Sequence, residues 1–306
     1  MLIKVLGSAA GGGFPQVNCN CRNCSGVRRG VPGLRARTQS SLAVSRDGAA
    51  WVLLNASPDL RQQLAATPGL APHAEAGARS SPITAVVLTN GDVDHIAGLL
   101  SLREGLTFTL YASERVLGAL SSNSVFDVLD RRLVPRVALP MGRATELARL
   151  GLVLEGFPVP GKVPLYLEDA AAGSSFGTRE GDTLGLRVSD PATGTSFFYV
   201  PGCAAVDPAL AERLKGAALV LFDGTLYTDD EMIAQGLSTK TGGRMGHISM
   251  SGRDGSIAAF QALDVKRRIF VHINNSNPVL CEESPERAEV EAAGWEVAFD
   301  GMELRL

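Results

Sequence analysis

No stretch of this 306-residue chain is apolar for the ~18 residues that a membrane helix needs. The opening Met1-Leu2-Ile3-Lys4-Val5-Leu6 is too short for a secretory leader, and it runs directly into Gly7-Ser8-Ala9-Ala10-Gly11-Gly12-Gly13. That glycine run lacks the GxGxxG spacing of a dinucleotide fold, and no P-loop occurs elsewhere. Charge of one sign is also missing: 29 Lys and Arg against 32 Asp and Glu leave a net charge of −3, so no nucleic-acid partner is expected. Arg28, Arg29, Arg35 and Arg37 form a local basic stretch that reads as a solvated surface loop. These absences predict a cytoplasmic protein without membrane insertion. In that compartment thiols stay reduced, so clustered cysteines read as a metal site before they read as disulfides.

What is present is a series of short apolar runs separated by turn residues. Leu2–Leu6, Trp51–Leu54, Ile83–Thr89, Phe108–Tyr111, Leu152–Phe157, Phe197–Val200, Ala218–Phe222, Arg268–Ile273 and Glu296–Phe299 have the length and composition of strands. Helical patterns lie between them at Asp59–Ala66, Pro208–Leu214, Ser256–Leu263 and Ser284–Ala293. Ser57-Pro58 and Ser284-Pro285 both read as an N-cap followed by proline at the first helical position. Gly173–Gly185 and Ser238–Gly246 read as loops. Strands interleaved with helices indicate an α/β layered architecture, and no linker divides the chain, so one domain over 1–306 is expected.

Three of the five cysteines, Cys19, Cys21 and Cys24, stand in C-x-C-x-x-C spacing. One loop can wrap its thiolates around a soft cation such as Zn²⁺ and leave a fourth position for a ligand from elsewhere. His247, in Met245-Gly246-His247-Ile248-Ser249, is assigned to it, because the adjacent glycine allows close backbone approach. A closed Cys₃His shell is structural. The same spacing also admits a redox pair of Cys21 and Cys24. Cys203 and Cys281 stand singly and are read as small buried hydrophobes.

A second constellation follows the run Ile83–Thr89. There Asn90-Gly91-Asp92-Val93-Asp94-His95 places polar groups at a strand's carboxyl end, where α/β proteins build sites. Asp94 and His95 can present one oxygen and one nitrogen to a metal, and Asn90 and Asp92 are further oxygen ligands or substrate contacts. Asp223 ends another strand-like run, as an acceptor that orients a ligand histidine or as an acid–base group. Asp59 is read as a helix-start carboxylate with a catalytic alternative, and His73 as a loop residue.

Asp94, His95 and Gly98 resemble the end of the H-x-H-x-D-H motif of the metallo-β-lactamase fold, while Asn90 and Asp92 replace its first two histidines. In that resemblance His272 matches the histidine of a late strand, Cys203 falls near the place of a bridging aspartate, and no mid-chain histidine is matched. Residues 7–16, the thiol cluster, Leu53–Leu64, Met245–Ser249 and Val271–Pro278 together resemble the pyrroloquinoline quinone biosynthesis protein B family over essentially the whole chain. The resemblance implies an αββα four-layer sandwich, a structural Zn²⁺ on the thiol loop and a part in making the quinone from a peptide-derived, cross-linked glutamate–tyrosine. The retained set Asp94, His95 and His272 suits Fe²⁺ with positions left for O₂ and substrate. It implies hydroxylation of the tyrosine-derived ring, with Asp92 and Asp223 as acid–base candidates. Two alternatives stand beside it: carriage of the quinone or its precursor towards the periplasm, and metal-dependent hydrolysis. A homodimer stays open.

Overall fold

The structure, a computed structural model, describes residues 1–73 and 75–306. Two seven-stranded sheets dominate it. The first contains β1 (Leu2–Gly7), β2 (Ser41–Ser45), β3 (Trp51–Leu54), β4 (Ile83–Val87), β5 (Thr109–Ala112) and β6 (Arg136–Ala138). The second contains β7 (Ala144–Leu147), β8 (Leu152–Pro158), β9 (Leu184–Asp190), β10 (Thr195–Val200), β11 (Val220–Asp223), β12 (Arg268–Val271) and β13 (Trp295–Val297). The last strand, β14 (Glu303–Arg305), returns to the first sheet beside β1.

Each sheet is half antiparallel and half parallel. In the first, β14, β1, β2 and β3 pair antiparallel, then β3, β4, β5 and β6 run parallel. In the second, β10 to β13 run parallel and β7 to β10 antiparallel. The parallel strands β3, β4 and β11 are mainly apolar, with only Thr84 and the terminal Asp223 polar, and are buried along nearly their whole length, as strands covered on both faces must be.

Two of the faces so created meet each other. Ile3, Leu42, Val52 and Val87 of the first sheet pack with Leu154, Leu186, Phe197 and Leu221 of the second in one buried cluster. The outer face of the first sheet is covered by the helices Leu60–Ala65 and Glu114–Ser121, that of the second by Pro208–Leu214, Ser256–Ala259 and Pro285–Ala292. The helices in chain order are α1 (Arg22–Arg28), α2 (Leu60–Ala65), α3 (Val93–Ile96), α4 (Glu114–Ser121), α5 (Pro208–Leu214), α6 (Glu231–Ala234), α7 (Gly242–Met245), α8 (Ser256–Ala259) and α9 (Pro285–Ala292). The expected αββα layering is therefore present. No helix among the described residues is long and apolar enough to cross a membrane.

Several local expectations change. Helix α9 begins as read, with Ser284 accepting the Arg287 N–H. Helix α2 does not: Asp59 stands at its N-cap without a capping bond and accepts instead from the Gln39 backbone and side-chain amides. Arg37 is no surface residue: it is 6 % exposed and donates to Ala298 O and Ser8 Oγ. Cys203 is buried, whereas Cys281 is half-buried. The loop read at Ser238–Gly246 contains α7, and β9 starts inside the other glycine-rich stretch.

Candidate metal centre

The carboxyl ends of β4, β11 and β12 converge between the two sheets. β4 delivers Thr89, Asn90 and the α3 residues Asp94 and His95; β11 delivers Asp223 and Thr225; β12 delivers His272. Asp94, His95 and His272 each offer a ligand atom within 4.8 Å of the others. His272 Nε2 lies 3.1 Å from Asp94 Oδ2, and His95 Nε2 lies 3.7 Å from the same oxygen.

Hydrogen bonds decide which ring nitrogens face the centre. Asn90 Oδ1 accepts the Asp92 N–H at 3.0 Å, which fixes that atom as an acceptor. His95 Nδ1, 2.7 Å away, therefore carries the proton, and the lone pair is left on Nε2. Asn90 thus orients the His95 imidazole. His95 Nε2 is buried and has no hydrogen-bond partner among the described residues. An orphaned imidazole lone pair beside a carboxylate is the environment a divalent cation satisfies. Burial also pushes His95 down to about 4, so the ring is neutral and ready to ligate.

Thr225 organises the opposite side. Its hydroxyl donates to Asp223 Oδ1 at 2.7 Å and accepts from His272 Nδ1 at 2.8 Å. His272 adopts a left-handed backbone, φ 56°, where a β-carbon is strained, so the surroundings hold it there. Against the cost of burial, its bond to Asp94 raises the His272 pKa. Burial would raise Asp94 too, but His95 and His272 outweigh it and hold the carboxylate below its usual range. Asp92 is raised by burial and by repulsion from Asp94.

His247 is not with the thiols, contrary to the expectation above. Its ring stacks on that of His272, centroids 5.2 Å apart and 20° from parallel. Its Nδ1 donates to Asp223 Oδ2 at 2.6 Å and lies 3.0 Å from Thr225 Oγ1. Gly246, in a left-handed C-cap of α7, turns the chain so that the following histidine points into this centre. Asp223 also accepts the N–H groups of Cys203 and Thr225. Four donors saturate it, so its geometry favours orienting His247 over acid–base work. Cys203 supplies only that N–H; its thiol bonds Ala205 O.

The thiols form a separate cluster. Cys19, Cys21 and Cys24 lie within 4.8 Å of one another at the start of α1. Each sulfur accepts a backbone N–H, from Cys21, Cys24 and Gln16 respectively, at 3.4 Å. Arg28 clamps the loop by donating to the carbonyls of Cys19 and Gln16. Burial opposes ionisation of Cys21, but the Cys24 N–H and the neighbouring thiols lower its pKa overall, while burial pushes Cys24 up to about 11. The fourth side of the cluster is the Asn275 amide, 3.1 Å from Cys19 Sγ, 3.3 Å from Cys24 and 3.7 Å from Cys21. Sequence reasoning missed Asn275 and Thr225 and misplaced His247.

The Beta-lactamase superfamily domain model matches residues 50–273. The coenzyme PQQ synthesis protein B of Methylorubrum extorquens strain PA1 is 53% identical over 306 residues, covering all of both chains. The protein of that name from Xanthomonas euvesicatoria is likewise 53% identical over the full length. The chain belongs to the coenzyme PQQ synthesis protein B family. In three dimensions it matches the crystal structure of Zn²⁺-bound PqqB from Methylobacterium extorquens with a TM-score of 0.95 at 52% identity, covering 100% of both. A diphosphatase of the PhnP family, 23% identical over 99% of this chain and 96% of its own with a TM-score of 0.68, shares the metallo-β-lactamase fold.

Proposed function

We propose that this PqqB-family chain serves in pyrroloquinoline quinone synthesis and that its centre supports O₂-dependent hydroxylation of the tyrosine-derived ring of a cross-linked glutamate–tyrosine. Asp94, His95 and His272 would hold Fe²⁺, as two imidazoles and one carboxylate suit that ion. When bound, the iron would supply the one-electron chemistry that O₂ requires; one oxygen atom goes to the ring carbon and the other leaves as water, with the two electrons this needs drawn from an external reductant such as ascorbate. The protein's own part is orientation and proton handling. Asn90 and Thr225 keep His95 and His272 in the tautomers that direct Nε2 inward. Asp92, its pKa raised by burial and by repulsion from Asp94, is the carboxyl beside the centre best placed to take up and return a proton. The observation that carries this reading is the buried, partnerless His95 Nε2 facing Asp94.

The thiol loop is proposed to hold Zn²⁺, the ion named for the crystallised relative. Asn275 fits the fourth position, since turning its amide over directs the carbonyl oxygen at the sulfurs. A second reading, metal-dependent hydrolysis, is favoured by one observation: His247 brings a third imidazole to the centre. Anaerobic Fe²⁺ loading, then O₂, ascorbate and a cross-linked glutamate–tyrosine, with mass spectrometry of the product, separates the two. Iron-dependent oxygen gain that vanishes in His95→Ala supports hydroxylation; turnover without O₂ overturns it in favour of hydrolysis.

A further inference from the structure

The segment 159–183, between β8 and β9, straps across the centre and is fastened on both sides of it. On one side Tyr166 donates to Gly91 O at 2.8 Å, next to Asp92. On the other, Glu168 takes both ends of the Arg244 guanidinium, at 3.1 and 2.7 Å, three residues before His247. Arg244 also lies 3.5 Å from the centroid of the Phe176 ring. The strap is thereby held to the loops that carry Asp92 and His247.

Lys162 lies between these fastenings. Its stem packs on Gly246, where an added Cβ would come within 2.8 Å of Lys162 Cγ, and its charge acts on Asp92. The side chain is only 22% exposed, yet among the described residues the ammonium has no acceptor within hydrogen-bond distance. Its nearest carboxylate, Glu168 at 3.7 Å, is already committed to Arg244. The ammonium is not sealed from solvent, and with only that long ion pair to hold it, water on its donors can give way to an incoming anion. Lys266 and Arg132, by comparison, sit 2.8 and 2.5 Å from Asp264 and Asp130.

We infer that Lys162 receives a carboxylate of the substrate and so selects for an acidic aromatic compound at the metal centre. This rests on the reading of the centre as the site that takes the glutamate–tyrosine precursor. The compound has carboxylates to offer on both halves, and one held at Lys162 beneath the strap places the ring towards Asp94 and His95. Lys162 here is a residue of recognition; no bond is made or broken at it.

The test is binding, not turnover. Fe²⁺-loaded protein is held without O₂ and titrated with the cross-linked glutamate–tyrosine and with its fully amidated, uncharged counterpart. Lys162→Met is expected to weaken the acidic probe about ten- to a hundredfold, to leave the amidated probe and the Fe²⁺ affinity unchanged, and to be partly rescued by Lys162→Arg. Lys162→Gln, which keeps the stem and some polarity, serves should Lys162→Met fold poorly. Equal affinity of the acidic probe for wild type and variant overturns the inference. So does equal weakening of both probes, which would mark a purely structural lysine, and so does failure of wild type to bind either probe. Tight, Lys162-dependent binding without oxygenated product on admitting O₂ would sink the hydroxylation reading and leave this one standing.

Discussion

His272 and Asn275 stand three residues apart on one loop, and each reaches a different cluster: His272 Nε2 lies 3.1 Å from Asp94 Oδ2, Asn275 Nδ2 3.1 Å from Cys19 Sγ. Asn23, on the thiol helix, donates to the carbonyls of Asn275 and Asn277, while Asn277 donates to those of Gly224 and Thr225. The loop is therefore braced from both sites at once. Filling one site fixes residues that the other must otherwise order, which couples their affinities. Cys21→Ser, which empties the thiol site, is expected to weaken Fe²⁺ at the histidine centre about tenfold, within the usual 5- to 150-fold span of such couplings. Competition with a chelator measures it. The same affinity with and without zinc would show that the two sites act independently.

Thr225 is expected to be a positioning residue of that centre. Thr225→Val keeps the shape but removes the acceptor of His272 Nδ1 and a donor to Asp223. Loss of such an orienting partner typically costs ten- to a hundredfold in metal affinity. Thr225→Ser should restore most of it, since the hydroxyl and not the methyl carries the bonds. A valine variant that binds metal as tightly as wild type would remove Thr225 from this role.

Glu231, which is not itself a metal ligand, predicts a pH dependence of stability. It is 5 % exposed, accepts from Ser276 Oγ at 2.6 Å and from the Tyr227 N–H at 2.7 Å, and burial raises its pKa to about 7 from 4.5. A carboxyl raised on folding binds its proton more tightly in the native state. Its contribution to stability is then full below about 4.5 and declines as the pH rises to about 7. The whole excursion corresponds to about 3 kcal/mol. Glu231→Gln should flatten the stability profile across this window, because the amide needs no ionisation and can donate to Ser276. Parallel denaturation curves of the two proteins over the window would contradict the assignment.

The layered fold was legible because its central strands are mainly apolar runs. Trp51–Leu54 was read to the residue, and Asp94 and His95 were found because a single strand end delivers both. β2 escaped notice because Ser41 and Ser45 bracket only three apolar residues, although all five are buried. The histidine at 247 was noticed but sent to the wrong site. Nothing local distinguishes the two destinations; the Asp223 bond and the stack on His272 bring together residues 24 and 25 positions apart. Asn275 stood out little because an amide is a rarer metal partner than histidine, and Asn90, read as an oxygen ligand or substrate contact in place of a motif histidine, has its oxygen on His95 Nδ1 instead.

Gly98 and Gly11 both border the centre, and their substitution should have opposite consequences. A Cβ at Gly98 would lie 2.1 Å from Ser57 O and 2.8 Å from the Ala56 carbonyl, all backbone. That backbone cannot step aside, because Gly98 N donates to Ala56 O at 2.9 Å and Ala56 N donates to His95 O at 2.8 Å. Gly98→Ala therefore forces apart the two segments that set His95, at a cost of about 1–3 kcal/mol, and should lower metal affinity along with the melting temperature. A Cβ at Gly11 would meet only the Asp94 side chain, at an ordinary 3.4 Å. Gly11→Ala should melt like wild type, and any change it brings should be confined to the centre. If Gly98→Ala keeps both its melting temperature and its metal, the backbone lacing does not hold His95 in place.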